Sequence, residues 1–209
     1  MTPAQELALV ELWPRYGIEL SDAALDLSTL FGRAAPWVLE IGFGNGEALI
    51  AAAIANPQQD YVGVEVHRPG VGQLLRELTA RDVGNVRVVC ADVNDVLARV
   101  PDGALSTVCL FFPDPWPKTR HHKRRLVQPA FVEALRHKLA RGGLFCLATD
   151  WEDYAAHMLE VLSQAPGFEN TAGAARYAPR PPQRPLTKFE RRGHRLGHVV
   201  RDFVFRRCD

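Results

Sequence analysis

The sequence predicts an α/β fold built on a parallel sheet covered by helices on both faces. Three observations carry that prediction. Apolar, strand-like runs alternate with helical stretches along most of the chain, and the connections between them are short. The runs are apolar almost throughout, as strands buried on both faces must be. The first run ends in Gly42-Phe43-Gly44-Asn45-Gly46, a tight turn opening onto an alanine-rich helical stretch.

In chain order, residues 4–13 place Leu7, Val10 and Leu12 at helical spacing, and Pro14 and Gly17 close that helix. Residues 21–35 read as irregular, with room for one short helical turn. Strand-like runs are expected at 37–41, 61–66, 86–90, 105–112 and 144–149, and a last one near 199–205. Helices are expected at 47–55, ended near Asn56-Pro57, then at 70–81, 93–100, 126–139 and 152–164. Gly142-Gly143 is the expected stop of the fourth of these, and residues 178–185 form a loop rich in proline and arginine. In open sheets of this kind ligands sit beyond the carboxyl ends of the strands.

At 209 residues, 47% apolar and 23% charged, the chain suits one domain over 1–209. Within it, 1–35 is an N-terminal extension and 176–198 a basic tail. No apolar run is long enough to span a bilayer and no secretory pattern opens the chain, so a cytoplasmic protein is expected. Cys90, Cys109, Cys146 and Cys208 are widely spaced and show no CxxC pattern, which argues for reduced thiols and against disulfides or a zinc site. The net charge of +1 conceals a segregation: residues 1–60 hold 2 cations against 8 acids, whereas residues 176–209 hold 10 cations against 3 acids. A polyanion-binding face has this signature.

Acids gather at the strand ends. Glu40 precedes the glycine turn, Glu65 ends the second run, and Asp92, Asp114 and Asp150 follow the third, fourth and fifth. A single acid there is an ordinary helix cap. Five around one crevice repel one another and are better explained by a cationic or donor-rich ligand. The turn Gly42-x-Gly44-x-Gly46 admits two cofactors. A dinucleotide needs GxGxxG and a clear helix N-terminus, but Glu47 stands at the third glycine position and Glu40 adds charge near any pyrophosphate. S-adenosylmethionine carries an ammonium and a sulfonium and no phosphate. Gly42, Gly44 and Gly46 would let it approach the backbone, Glu65 would take the ribose hydroxyls, and Asp92 would meet the adenine amino group. S-adenosylmethionine is therefore the expected cofactor, and no metal is expected.

The stretch 111–125, FFPDPWPKTRHHKRR, carries the acceptor side. Pro113, Pro115 and Pro117 stiffen a loop that holds Asp114 beside Trp116. Lys118, Arg120, Lys123, Arg124 and Arg125 follow. The motif reads as a catalytic edge meeting a polyanion, with a plain turn and a solvated charge run as the alternative. Trp116 either stacks on a base or packs the loop, and His121 and His122 either touch phosphate or stand by.

LEIGFGNG (39–46), GVEVHRPGVG (63–72), FFPDPWPKTRHHKRR (111–125), TDWEDYAAHMLEV (149–161) and RPLTKFERRGHRLGH (184–198) resemble the bacterial tRNA (guanine-N7)-methyltransferases. The likeness runs from about residue 5 to the C-terminus; the FPDPWPK and TKFERRGH stretches are specific, while many methyltransferases share the glycine turn. It implies a class I, Rossmann-like methyltransferase with a seven-stranded, mostly parallel sheet and an antiparallel last strand. It also implies methyl transfer from S-adenosylmethionine to N7 of a guanine in the variable loop of tRNA, by a monomer or homodimer. Carried over by motif, Glu40, Glu65, Asp92 and Asp114 contact the cofactor, and Asp114 is also catalytic. Lys118, Asp150, Thr187, Lys188, Phe189 and Glu190 bind substrate, and Arg120, His121, His122, Lys123, Arg124 and Arg125 contact RNA.

The chemistry agrees. Guanine N7 has a free lone pair and no proton, so its methylation needs positioning and exclusion of water but no general base. Arginine on O6 and N7 would block the nucleophile. Recognition then falls on the N1–H and N2 donors, which need acceptors such as Asp150 and Glu190. The competing readings are a methyltransferase of the same fold acting on another RNA or a small molecule, a nicotinamide-dependent dehydrogenase, and a non-catalytic RNA-binding protein.

Overall fold

The computed structural model describes residues 1–181, 184–187, 190, 191, 195 and 197–209. Seven strands form the sheet in the order β3-β2-β1-β4-β5-β7-β6. The chain divides into two compact units, Met1–Pro101 and Asp102–Asp209.

In the first unit, β1 (Trp37–Ile41), β2 (Asp60–Val64) and β3 (Val86–Val89) pair in parallel, with Glu40 opposite Gly63 and Val64 opposite Val89. Val38, Leu39, Val62, Val64, Val86 and Val88 are all buried, which accounts for runs without polar alternation. Helix α4 (Glu47–Ala55) follows β1, and α5 (Arg68–Ala80) buries Val71, Leu74, Leu75 and Leu78. A side chain at Gly72 would meet the Gln5 carbonyl at 2.6 Å, so this glycine lets α1 (Pro3–Glu11) lie close to α5.

Pro14 does not end the N-terminal helical region. It occupies the first turn of α2 (Trp13–Tyr16), where its missing N–H costs nothing, and the chain leaves the helix at Gly17. Within 21–35, α3 (Leu27–Phe31) is capped by Asp26, which accepts from the Thr29 amide at 3.2 Å. The expected helix at 93–100 is shorter, α6 (Val93–Leu97).

In the second unit, β4 (Leu105–Phe111) and β5 (Leu139–Thr149) are parallel, while β7 (Arg201–Arg207) runs antiparallel to both β5 and β6 (Phe168–Asn170). The bounds of α7, β5 and β7 differ from those expected, and β6 answers to no expected element. Helix α7 (Pro129–Lys138) stops before the Gly142-Gly143 pair, and these glycines lie inside β5, where the register with β4 shifts between Leu105 and Thr107. Gly142 sits at φ 79°, the kind of backbone such an irregularity needs. Strand β6 follows α8 (Glu152–Gln164) and has only three residues, too few to show a pattern in sequence. Phe145, Cys146, Leu147, Phe203 and Phe205 fill this unit's core with Tyr154 and Met158. No disulfide joins Cys90, Cys109, Cys146 or Cys208; Cys109 and Cys146 are buried and Cys208 is exposed. Among the described residues no helix is long and apolar enough to cross a membrane.

Candidate functional site

In the first unit the glycine turn takes left-handed backbone at Gly42 (φ 70°), Gly44 (φ 57°) and Gly46 (φ 80°), which explains why glycine recurs there. They are not equivalent. A side chain at Gly46 would drive into Leu74 at 2.4 Å, so Gly46 serves packing as the N-cap of α4. Side chains at Gly42 and Gly44 would meet nothing within 4 Å, so these two present bare backbone to open space. Gly70, at the start of α5, lies so close that a side chain there would meet the Gly44 carbonyl at 2.3 Å.

Three of the expected acids border this turn or the strand ends beside it. Glu40 is buried in β1 at 5% exposure, and burial pushes its carboxyl up to about 8. Glu65, just past β2, accepts the Gly44 amide on Oε2 at 3.0 Å and the Val66 and His67 amides on Oε1 at 2.8 and 2.9 Å. It therefore holds the turn in shape, with acceptor capacity left on Oε2 for a ligand's hydroxyl. Asp92 caps α6, its Oδ1 accepting from the Asn94 amide at 2.8 Å and the Asn94 side chain at 2.9 Å. Its other carboxylate oxygen has no partner among the described residues.

In the second unit, Asp114 is exposed, with no hydrogen bond or ion pair to any described residue. The loop that carries it turns at Phe112 (φ 53°) and Trp116 (φ 46°), left-handed positions that bulky residues rarely take. The run after it is a 3-10 helix (Thr119–Arg124), which the sequence did not announce. Lys118 caps it, and its carbonyl accepts the His121 amide at 2.7 Å. Arg120, Lys123 and Arg124 are exposed. Trp116 is half-buried, with Arg124 over its ring at 5.0 Å and His121 edge-on at 5.9 Å, so one side of the indole packs the loop. Arg125 is different from its neighbours. At 2% exposure it faces inward, onto the Pro115 carbonyl, Asp153 and His122, and does not present its charge to solvent. His122 is half-buried with it.

Asp150 follows β5 and its Oδ2 pairs with His198 Nδ1 at 2.9 Å. Thr187 accepts the Glu190 amide on its hydroxyl at 3.2 Å. Glu190 is buried at 2% exposure, and both its oxygens meet Arg184, with Nη2 to Oε1 at 2.9 Å. The same guanidinium forks onto Asp202 of β7, Nη2 to Oδ2 at 2.8 Å, and lies over the Phe112 ring at 5.7 Å. The hydrogen bonds and charges of Glu190 and Asp202 keep Arg184 protonated although burial opposes it. Lys188 and Phe189 lie outside the described residues. Asp153, Arg184, Asp202 and His198 are not among the site residues expected from sequence; their partners lie 6 to 48 positions away, beyond the reach of local patterning. Among the described residues no cluster of His, Cys, Asp or Glu could hold a metal ion.

A family model described as "Putative methyltransferase" matches residues 34–203. A tRNA (guanine-N(7)-)-methyltransferase of Aeromonas hydrophila subsp. hydrophila is 56% identical over 210 residues, covering 100% of this chain and 89% of the relative. One of Alkalilimnicola ehrlichii is 58% identical, covering 99% of this chain and 88% of the relative. Among solved structures, the 16S rRNA methyltransferase KamB superposes with a TM-score of 0.66 at 17% identity, covering 92% of this chain and 96% of that one. A 16S rRNA adenine-N1-methyltransferase from Catenulisporales acidiphilia, solved with its cosubstrate SAM, superposes with a TM-score of 0.61 at 17% identity, covering 92% and 93%. These structural likenesses show the fold, that of class I methyltransferases.

Proposed function

The chain belongs to the tRNA (guanine-N(7)-)-methyltransferase family, and from that premise we propose that it transfers a methyl group from S-adenosyl-L-methionine to N7 of a guanine in the variable loop of tRNA. The observation that carries the proposal is Asp114: an exposed carboxylate without a partner among the described residues, on a proline-stiffened loop, six residues before the first cation of a 3-10 helix that exposes Arg120, Lys123 and Arg124. A small-molecule acceptor would have no use for that helix.

The residues of the first unit fit the cofactor. Gly42 and Gly44 offer open backbone, Glu65 keeps spare acceptor capacity, and Asp92 keeps one oxygen for an exocyclic amine. Glu40 is a buried acid whose charged form needs a cation, and the ammonium of S-adenosylmethionine supplies one. When bound, this cofactor provides an electrophilic methyl on a sulfonium. The protein has no proton to remove from N7, so its work is alignment and charge placement. Positive charge moves onto the purine during transfer, and the fixed Asp114 carboxylate favours that side. Asp150, half-buried and oriented by His198, is the acceptor proposed for the Watson–Crick edge. Glu190, with Thr187 capping its turn, is committed to Arg184, so its proposed part is to shape the substrate tail. Arg120, His121, Lys123 and Arg124 are the proposed phosphate contacts, with Lys118 nearest the guanine.

The proposal is tested by incubating the protein with methyl-labelled cofactor and unmodified tRNA. Label should enter tRNA and appear in 7-methylguanosine. Label in a different nucleoside, or none with tRNA but transfer to another acceptor, contradicts it.

A further inference from the structure

Three alternating prolines give the Asp114 loop a support problem. Pro113, Pro115 and Pro117 have no N–H, so three of the five residues at 113–117 offer no backbone donor and a sheet-like ladder cannot hold the loop. The chain is anchored on either side, by the Phe112 amide on the Ala148 carbonyl at 2.8 Å and by the His121 amide on the Lys118 carbonyl at 2.7 Å. Between them, among the described residues, one hydrogen bond reaches 113–117: Arg125 Nε donates to the Pro115 carbonyl at 2.9 Å. Pro115 is the residue after Asp114.

Arg125 is built to make that bond. Its side chain is 1% exposed and its guanidinium lies over the Tyr154 ring at 4.9 Å. Tyr154 is itself fully buried, and its hydroxyl accepts the Val127 amide at 3.2 Å. Nη2 of Arg125 pairs with Asp153 in the first turn of α8 and stands 3.0 Å from His122 Nε2. The Asp153 carboxyl is held below its ordinary range, chiefly by the Arg125 hydrogen bond. A planar fork with fixed donors is what such a three-way joint needs, and lysine cannot reproduce it.

We propose that Arg125 is a positioning residue: it locks the Pro115 carbonyl to α8 through Asp153 and thereby sets the place of the Asp114 carboxylate, while its exposed neighbours hold the RNA. This rests on the reading that the chain methylates tRNA. The cations of the run thus divide by burial. Arg120, Lys123 and Arg124 are exposed and serve affinity; Arg125 serves the chemical step.

The test measures single-turnover methyl transfer at saturating tRNA and cofactor, alongside tRNA affinity and its salt dependence, for the wild-type protein, Arg125→Lys and Asp153→Asn. For Arg125→Lys the transfer rate should fall on the order of 10- to 100-fold, the loss expected of a misplaced group. tRNA affinity should stay within about twofold and the salt slope should not change, since no phosphate contact is lost. Asp153→Asn should slow transfer in the same sense without weakening tRNA binding, although it removes an acid and no cation. Weaker binding, a smaller salt slope and a normal transfer rate in Arg125→Lys would make Arg125 a phosphate contact and overturn the proposal. So would wild-type transfer rates in both variants. Asp153 is largely exposed, so its variant decides the matter if Arg125→Lys does not fold. A wild-type protein that transfers no methyl to tRNA would instead refute the functional reading itself.

Discussion

The Glu65 carboxylate accepts the Gly44 amide at 3.0 Å, tying the acid after β2 to the turn after β1. One side chain thus shapes the glycine turn and faces the proposed ribose position. Glu65→Ala removes the acceptor of three backbone N–H groups at once, and is expected to cost about 1–3 kcal/mol of stability. Cofactor affinity should drop by at least about tenfold, or about 1.4 kcal/mol. Calorimetric titration and thermal melting read the two effects separately.

Glu40 predicts a pH dependence. Burial raises its carboxyl from 4.5 to about 8, so the folded chain holds a proton that the unfolded chain has released. Its contribution to stability is therefore fully present below about pH 4.5 and is lost as pH rises through about 8. A cationic ligand favours the charged form, so cofactor binding should release a proton at neutral pH and tighten between about pH 6 and 8. Glu40→Gln should bind more weakly and lose that pH dependence. Titration in buffers of different ionisation enthalpy measures the released proton.

Arg184 holds two buried carboxylates, Glu190 and Asp202, and removing it strands both. Arg184→Met is expected to destabilise the second unit by about 3–5 kcal/mol, the usual cost of an uncompensated buried charge. Glu190→Gln leaves a hydrogen-bonding partner and should cost much less. Denaturant unfolding of the three proteins checks the order.

Asp114→Ala should fold normally, since the carboxylate is exposed and has no partner among the described residues, yet lose turnover with tRNA affinity retained. Arg124→Ala should weaken tRNA binding and reduce the salt slope by about one. Normal turnover in the first variant removes Asp114 from the chemistry; an unchanged slope in the second removes Arg124 from the phosphate contacts.

Most of the fold was legible because buried parallel strands write themselves as continuous apolar runs, and β1, α4 and α8 have the bounds expected from sequence. What was hidden was non-local. Gly142-Gly143 look like a helix stop, yet they serve a register shift inside β5 that only the pairing with β4 requires. Pro14 looks like a helix end and proves to be a beginning. The acids at the strand ends are legible because each lies within two residues of the end of an apolar run. The sequence could place Arg125 in a basic run but could not give its direction, which is set by Asp153 and Tyr154 on α8. The Arg184, Glu190 and Asp202 cluster was illegible for the same reason: residues 6 and 18 positions apart meet only when the tail folds against β7.

The central claim is that N7 of guanine is the nucleophile. It is tested most directly with a tRNA whose variable-loop guanine is replaced by 7-deazaguanine, which keeps the Watson–Crick edge and lacks the N7 lone pair. The account predicts that this tRNA binds as tightly as the normal one and accepts no methyl group. Methyl transfer to the deaza tRNA at the normal rate would contradict it.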